Sequence, residues 1–145
     1  MPEENLERVE QPPENIDILR LAYAEWGRGN FQPKFDFYDP DMEWGWSSEF
    51  PGIAGVYTDP AERSKRLHEW LSPWEHWTCE AEEFIEHGDE VVVLCRYRGR
   101  GKGSGADVDV AGAHVWKLSA GKVVRLEVFA NAVTALASVG LKANR

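Results

Sequence analysis

Between residues 78 and 130 the side chains alternate with a period of two, in four segments near 78–86, 90–102, 107–118 and 122–130. Alternation of that kind belongs to strands whose two faces see different surroundings. The segments are joined by Gly88-Asp89, Gly103-Ser104-Gly105 and Ala120-Gly121, short turn-forming joints that make consecutive strands pair as an antiparallel meander. A meander has an apolar face that must be covered, and the cover has to come from the remaining chain.

The first half supplies it. Ile16, Leu19, Ala22, Tyr23 and Trp26 recur at helical spacing, with Asn15 suited to cap the start and Gly29 to end the helix. The stretch from Asn30 to Asp41, interrupted by Pro33 and Pro40, predicts a brief helix entering a strand over Met42 to Trp46. Residues 47–58 read as a loop. Asp59-Pro60 opens a second helix whose apolar residues Leu67, Trp70, Leu71, Trp74 and Trp77 share one face, with a kink or break at Pro73. Ala132, Val133, Leu136 and Ala137 form a last short helix stopped by Gly140. Residues 1–14 carry five glutamates and three prolines and bury too little to offset the entropy of ordering, so a flexible acidic arm precedes one domain over 15–145. The expected architecture is α+β, with helices packed on a strongly curved antiparallel sheet.

Charge and composition narrow the function. A net charge of −9 repels a phosphate backbone, and Arg96, Arg98, Arg100 and Lys102 read as a solvated hairpin arm, so no nucleic acid is expected. No apolar run approaches the roughly 20 residues that span a bilayer, and the N-terminus lacks a basic region followed by an apolar one, which predicts a cytoplasmic protein without membrane contact. Cys79 and Cys95 read as reduced core thiols. His68, His76, His87 and His114 lack paired ligand spacing, so neither a metal nor a cofactor is expected. The glycines from Gly99 to Gly105 end a strand and do not open a helix, which is the wrong geometry for a phosphate loop.

Four fragments carry a resemblance: Tyr-Ala-Glu-Trp-Gly-Arg-Gly-Asn at 23–30, Asp-Pro-Asp-Met-Glu-Trp at 39–44, Gly-Asp-Glu-Val-Val-Val at 88–93, and Gly-Lys-Val-Val-Arg-Leu-Glu-Val-Phe at 121–129. In order and spacing the chain resembles the SnoaL-like branch of the nuclear-transport-factor-two-like superfamily, over roughly residues 15–141. The resemblance implies a cystatin-like cone, a fold that serves isomerases, cyclases, dehydratases, epoxide hydrolases and plain binding proteins. It also implies where catalytic groups would stand. The ketosteroid-isomerase base, tyrosine and protonated aspartate correspond here to Trp44, Ala22 and Ala113, and the polyketide-cyclase aspartate corresponds to Val128. None of these is an acid, so both mechanisms are expected to be missing.

Strand alternation sorts the meander into two sets. Val91, Val93, Cys95 and Tyr97, then Ala111, Ala113 and Val115, then Leu126, Val128 and Ala130 form an apolar set, which the resemblance turns toward the helices. The other set, with Arg96, Arg98, His114, Trp116, Arg125, Glu127 and Phe129, is expected to face outward. The small alanines would leave a cavity beneath Trp44 and Trp46. The expected binding residues for a small apolar molecule are therefore Trp44, Trp46, Trp70, Trp74, Trp77, Ala113, Val115, Leu126 and Val128, with Tyr57 at the cone mouth. Three functions follow from this placement. The first is a small-molecule-binding domain. The second is an enzyme using His114 and Glu127 as an acid–base pair, with Tyr57 as a further candidate. The third is an interaction dimer with a filled core. A homodimer is expected through the outer sheet face, by way of His114, Trp116, Arg125, Glu127 and Phe129.

Overall fold

The computed structural model describes residues 14–31 and 35–142, so the expected acidic arm lies outside the described residues apart from Glu14. The chain runs α1 (Asn15–Trp26), β1 (Tyr38–Trp46), β2 (Gly55–Tyr57), α2 (Pro60–Leu71), β3 (Trp74–His87), β4 (Glu90–Gly101), β5 (Asp107–Ser119), β6 (Lys122–Phe129) and α3 (Ala132–Ser138). One sheet takes all six strands, in the order β2-β1-β6-β5-β4-β3. The meander pairs antiparallel as the turns require, whereas β1 returns to lie parallel to β6. None of the described helices is long and apolar enough to cross a membrane.

Helices cover both faces of this sheet. On the inner face, Val91, Val93, Cys95 and Tyr97 of β4 and Leu126 and Val128 of β6 pack under α1, through Leu19, Ala22, Tyr23 and Trp26. On the outer face, Val92, Ala113, Val115 and Phe129 pack under α3, through Ala135 and Leu136. Helix α2 is tied to β1 by Arg63. Its guanidinium is buried and donates to the carbonyls of Met42 at 2.7 Å and Pro40 at 3.3 Å, where the β1–β6 register breaks between Tyr38 and Glu43. The loop after β1 is clamped to the other end of the chain by Glu49. Its carboxylate accepts from Ala130 N, Asn131 Nδ2 and Thr134 Oγ1 at 2.9–3.1 Å, at the N-terminus of α3.

Several expectations need correction. No helix precedes β1 among the described residues 35–37, β1 starts at Tyr38 and not at Met42, and the expected loop over 47–58 holds β2. The second helix stops at Leu71, and Trp74 and Trp77 belong to β3. They share a face because β3 bulges: Glu75 opposes Arg100 and Thr78 opposes Arg98, leaving two residues against Gly99, and His76 takes φ 57°. The faces of β5 are also the reverse of those expected. His114 pairs with Val93 and Val128, and Trp116 with Val91 and Leu126, so both side chains point into the cone. Ala113 and Val115, expected in the pocket, belong to the outer cluster under α3.

Candidate functional site

The inner face of β5 places His114 at the centre of the cone, 1% exposed. Both ring nitrogens are held. Tyr23 Oη from α1 lies 2.6 Å from Nδ1, and Tyr97 Oη from β4 lies 2.6 Å from Nε2. Trp116 Nε1 donates to Tyr23 Oη at 2.9 Å. An indole N–H is only a donor, so the Tyr23 hydrogen is free to go to Nδ1. With the Tyr23 hydrogen on Nδ1, the imidazole hydrogen sits on Nε2 and is donated to Tyr97; in the other tautomer Nδ1 donates to Tyr23 and Tyr97 donates to Nε2. Burial pushes both tyrosine hydroxyls well above their ordinary value, so they act as neutral hydroxyls.

Two thiols sit against this chain. Cys95 Sγ lies 3.9 Å from His114 Nε2, and Cys79 Sγ, Cys95 Sγ and a ring nitrogen of His114 all fall within 4.8 Å of one another. Burial raises the Cys79 thiol. Cys95 is pulled down to about 5 by the facing Cys79 thiol, with His114 assisting against desolvation, so Cys95 is the first of the two to ionise. This juxtaposition was not legible in the sequence, where both cysteines read as reduced core thiols and His114 as an outward residue.

Around the histidine the cone is filled. Trp26, Trp44, Trp46, Leu67, Trp70 and Val128 leave a cleft of only about 20 Å³ beside it. Trp44 and Trp46 stack on each other with ring centres 5.7 Å apart, and both are 2% exposed. The indole nitrogens of Trp26, Trp44 and Trp46 have no hydrogen-bond partner.

Space opens instead at the mouth. A recess of about 350 Å³ is lined by Phe50, Trp70, Trp74, Trp77, Tyr97 and Val108, with residues of β5 and the end of β6 as its floor. One wall is an aromatic stack. Trp74 lies 4.7 Å from Trp77 and Trp77 lies 5.2 Å from Tyr97, each pair within 19° of parallel. Glycines make the stack possible. A Cβ on Gly99 would come within 2.7 Å of the Trp77 ring, and one on Gly112 within 2.6 Å of the Tyr97 ring. Glycine inside a strand is the signal that marks such a close approach, and it was available at Gly112.

The residues expected from the sequence therefore divide. Trp70, Trp74 and Trp77 converge on the recess, while Trp44, Trp46, Leu126 and Val128 belong to the filled interior. The Tyr57 hydroxyl donates to the Ile53 carbonyl at 2.9 Å and holds its own loop. His114 and Glu127 face opposite sides of the sheet, since Glu127 pairs with Val115 and His114 with Val128, so the expected acid–base pair does not exist. The expected outer patch is also depleted. His114 and Trp116 are inside the cone, Phe129 is covered by α3, and Arg125 and Glu127 remain, joined at 3.0 Å. The arginines of the basic ribbon are neutralised by ion pairs from Arg96 to Glu82 and Asp109, from Arg98 to Glu80 and Asp109, and from Arg100 to Asp107. Exposed as they are, these pairs contribute little stability.

A curved six-stranded sheet with helices over its concave face and an aromatic mouth defines the class. The chain belongs to the SnoaL-like domain family, whose model matches residues 19–126. Among solved structures it is similar to an NTF2-like protein from Burkholderia thailandensis E264, at 28% identity and TM-score 0.66, covering 85% of this chain and 94% of that one. It is similar also to TerC, co-crystallised with polyporic acid, at 23% identity and TM-score 0.69, covering 86% and 96%. A third, an NTF2-like protein from Burkholderia pseudomallei K96243, shares 20% identity with TM-score 0.71, covering 89% and 99%. No curated protein matches the chain.

Proposed function

We propose that this SnoaL-like domain binds a small, flat, predominantly apolar molecule at the mouth of the cone. The observation that supports the reading is the recess of about 350 Å³ walled by Phe50, Trp70 and the Trp74–Trp77–Tyr97 stack. Its volume lies at the lower end of small-molecule pockets, which run from about 300 to 1,000 Å³. The stack presents rings whose preferred partner is another ring, and exposed apolar surface of this kind is costly to leave in water. Among the described residues no charged side chain lines the recess, which suits a neutral ligand. The filled interior confines the ligand to the mouth and keeps it away from His114.

Titration with a neutral anthraquinone and with anilinonaphthalene sulfonate tests the reading by tryptophan fluorescence. Saturable quenching is expected, with affinity falling about tenfold or more in Trp74→Ala, since burying a ring against ligand contributes on the order of 2 kcal/mol. Quenching that Trp74→Ala and Arg98→Ala weaken equally would remove the recess as the site.

A further inference from the structure

The ligand reading leaves the Cys79–Cys95–His114 cluster without a role, and the three side chains come from three adjacent strands to one buried point. We propose that Cys79, Cys95 and His114 form a binding site for a single zinc-class divalent ion, with Tyr97 Oη at the fourth corner.

Distance is the first argument. Tetrahedral zinc with bonds of about 2.3 Å to sulfur and 2.0 Å to nitrogen sets neighbouring ligand atoms roughly 3.5–3.8 Å apart. Cys95 Sγ already lies 3.9 Å from Nε2, and the whole cluster falls within 4.8 Å, so closing on an ion requires side-chain shifts of an ångström or less. Tyr97 Oη, 2.6 Å from Nε2, needs only a small outward movement to take the remaining corner. Gly112 is what allows the Tyr97 ring to reach across β5 at all.

Strand register argues against the competing chemistry, a disulfide. Cys79 directly opposes Tyr97, and Cys95 directly opposes Ala81, so the two cysteines are diagonal neighbours. Diagonal Cα atoms lie about 7–8 Å apart. An S–S bridge is not made beyond about 7 Å without backbone movement, whereas an ion adds two bonds between the sulfurs and spans the gap.

Charge selects the ion. Two thiolates balance one divalent cation, and imidazole and phenol add nothing, so the filled site is neutral. A monovalent copper ion would leave a net negative charge in an apolar interior, which is costly. Arg63, the one buried arginine among the described residues, is committed to the carbonyls of Met42 and Pro40. Binding needs both sulfurs as thiolates, so any thiol proton still held leaves to solvent, and it needs the imidazole hydrogen on Nδ1. There Tyr23, itself oriented by Trp116, accepts it, an outer partner of the kind that holds metal-bound histidines in place. With Cys79 0% and Cys95 1% exposed, the ion enters as the chain folds.

The test unfolds the full-length reduced protein in guanidinium chloride and refolds it with Co²⁺ as a spectroscopic stand-in for Zn²⁺. One ion per chain is expected, with thiolate-to-cobalt charge-transfer absorption, tetrahedral visible bands and displacement by one equivalent of Zn²⁺. Cys79→Ser and Cys95→Ser should each weaken uptake at least about a hundredfold, because loss of an outer partner alone costs ten- to a hundredfold. Should the serine variants fail to fold, X-ray absorption of the zinc-loaded wild type reads the same site, with two sulfur and two nitrogen or oxygen scatterers expected. No uptake on refolding, an octahedral spectrum without thiolate bands, or a sulfur-free zinc shell overturns the proposal.

Discussion

Trp116 Nε1 donates to Tyr23 Oη at 2.9 Å, joining the inner face of β5 to α1 across 93 residues of sequence. Through that contact the helix is bonded to the sheet as well as packed on it. Tyr23 is simultaneously 2.6 Å from His114 Nδ1, so one hydroxyl serves two buried partners.

Tyr23→Phe should therefore be costly out of proportion to the single oxygen removed. It strands the Trp116 N–H and the His114 nitrogen without partners, and a destabilisation of about 2–4 kcal/mol is expected from two buried groups left unsatisfied. Tyr38 is the internal control. Its hydroxyl is buried without a hydrogen-bond partner, so Tyr38→Phe should be neutral or stabilising. Guanidinium denaturation of the two variants makes the comparison, and equal losses would remove Tyr23 from its role.

Gly112→Ala should disturb the mouth of the cone. The added methyl meets the Tyr97 ring at 2.6 Å, which forces the ring and its stacked neighbour Trp77 to move. Overpacking of this kind costs about 1–3 kcal/mol, and the fluorescence-detected ligand affinity should fall with it. Gly121→Ala tests only backbone strain, since nothing lies near its Cβ. It should lower stability and leave the affinity unchanged.

Trp44→Ala and Trp74→Ala should separate stability from binding. Trp44 is fully enclosed against Trp46 and Tyr38, and its loss is expected to cost about 3–5 kcal/mol in a denaturant titration. Trp74, half-buried at the end of the stack, should cost less stability and more affinity. The reverse ranking would move the ligand into the cone interior.

How far these residues could be placed from sequence differed strand by strand. β4 and β6 interleave charged residues with apolar ones, at Arg96 and Arg98 and at Arg125 and Glu127, and Val91, Val93, Cys95, Leu126 and Val128 face inward as expected. On β5, residues 112–116 are all buried because α3 covers the far side, so no polar stripe marked the outer face. Ala113 and Val115 then resembled an inner face and His114 an outer one. Buried hydrogen bonds from Tyr23 and Tyr97, both distant in sequence, are what make an inward histidine affordable. Trp74 and Trp77 misled differently: a spacing of three looks helical, and it reaches one face of a strand only through the bulge at His76. The β1–β6 pairing and the Cys79–Cys95–His114 convergence depend on long-range register, which has no local signature.

Acid should loosen the clamp at Glu49. Hydrogen bonds led by the Ala130 amide hold its carboxyl below the ordinary value, against a smaller desolvation effect. A carboxyl lowered in the folded state stabilises fully above its unfolded value, near 4.3, and loses that contribution as pH falls through the lowered folded value. At neutral pH Glu49→Gln should cost about 1 kcal/mol. The gap between variant and wild type should close as the pH drops below that range, and a gap independent of pH in thermal melts would contradict the assignment.

The parallel pairing of β1 with β6 sets an order of assembly. Trp46 takes its sheet partner at Val128, so β1 and the short β2 beyond it have no edge to join until β6 has been made. On the ribosome the meander can zip hairpin by hairpin, but the tryptophan-bearing β1 waits, its apolar surface exposed, until β6 emerges. A chain cut before Lys122 would lose more than one strand, because it would strand the entire N-terminal edge of the sheet. The late, sequence-distant closure also predicts a slow final folding phase that rapid local pairing within the meander does not share.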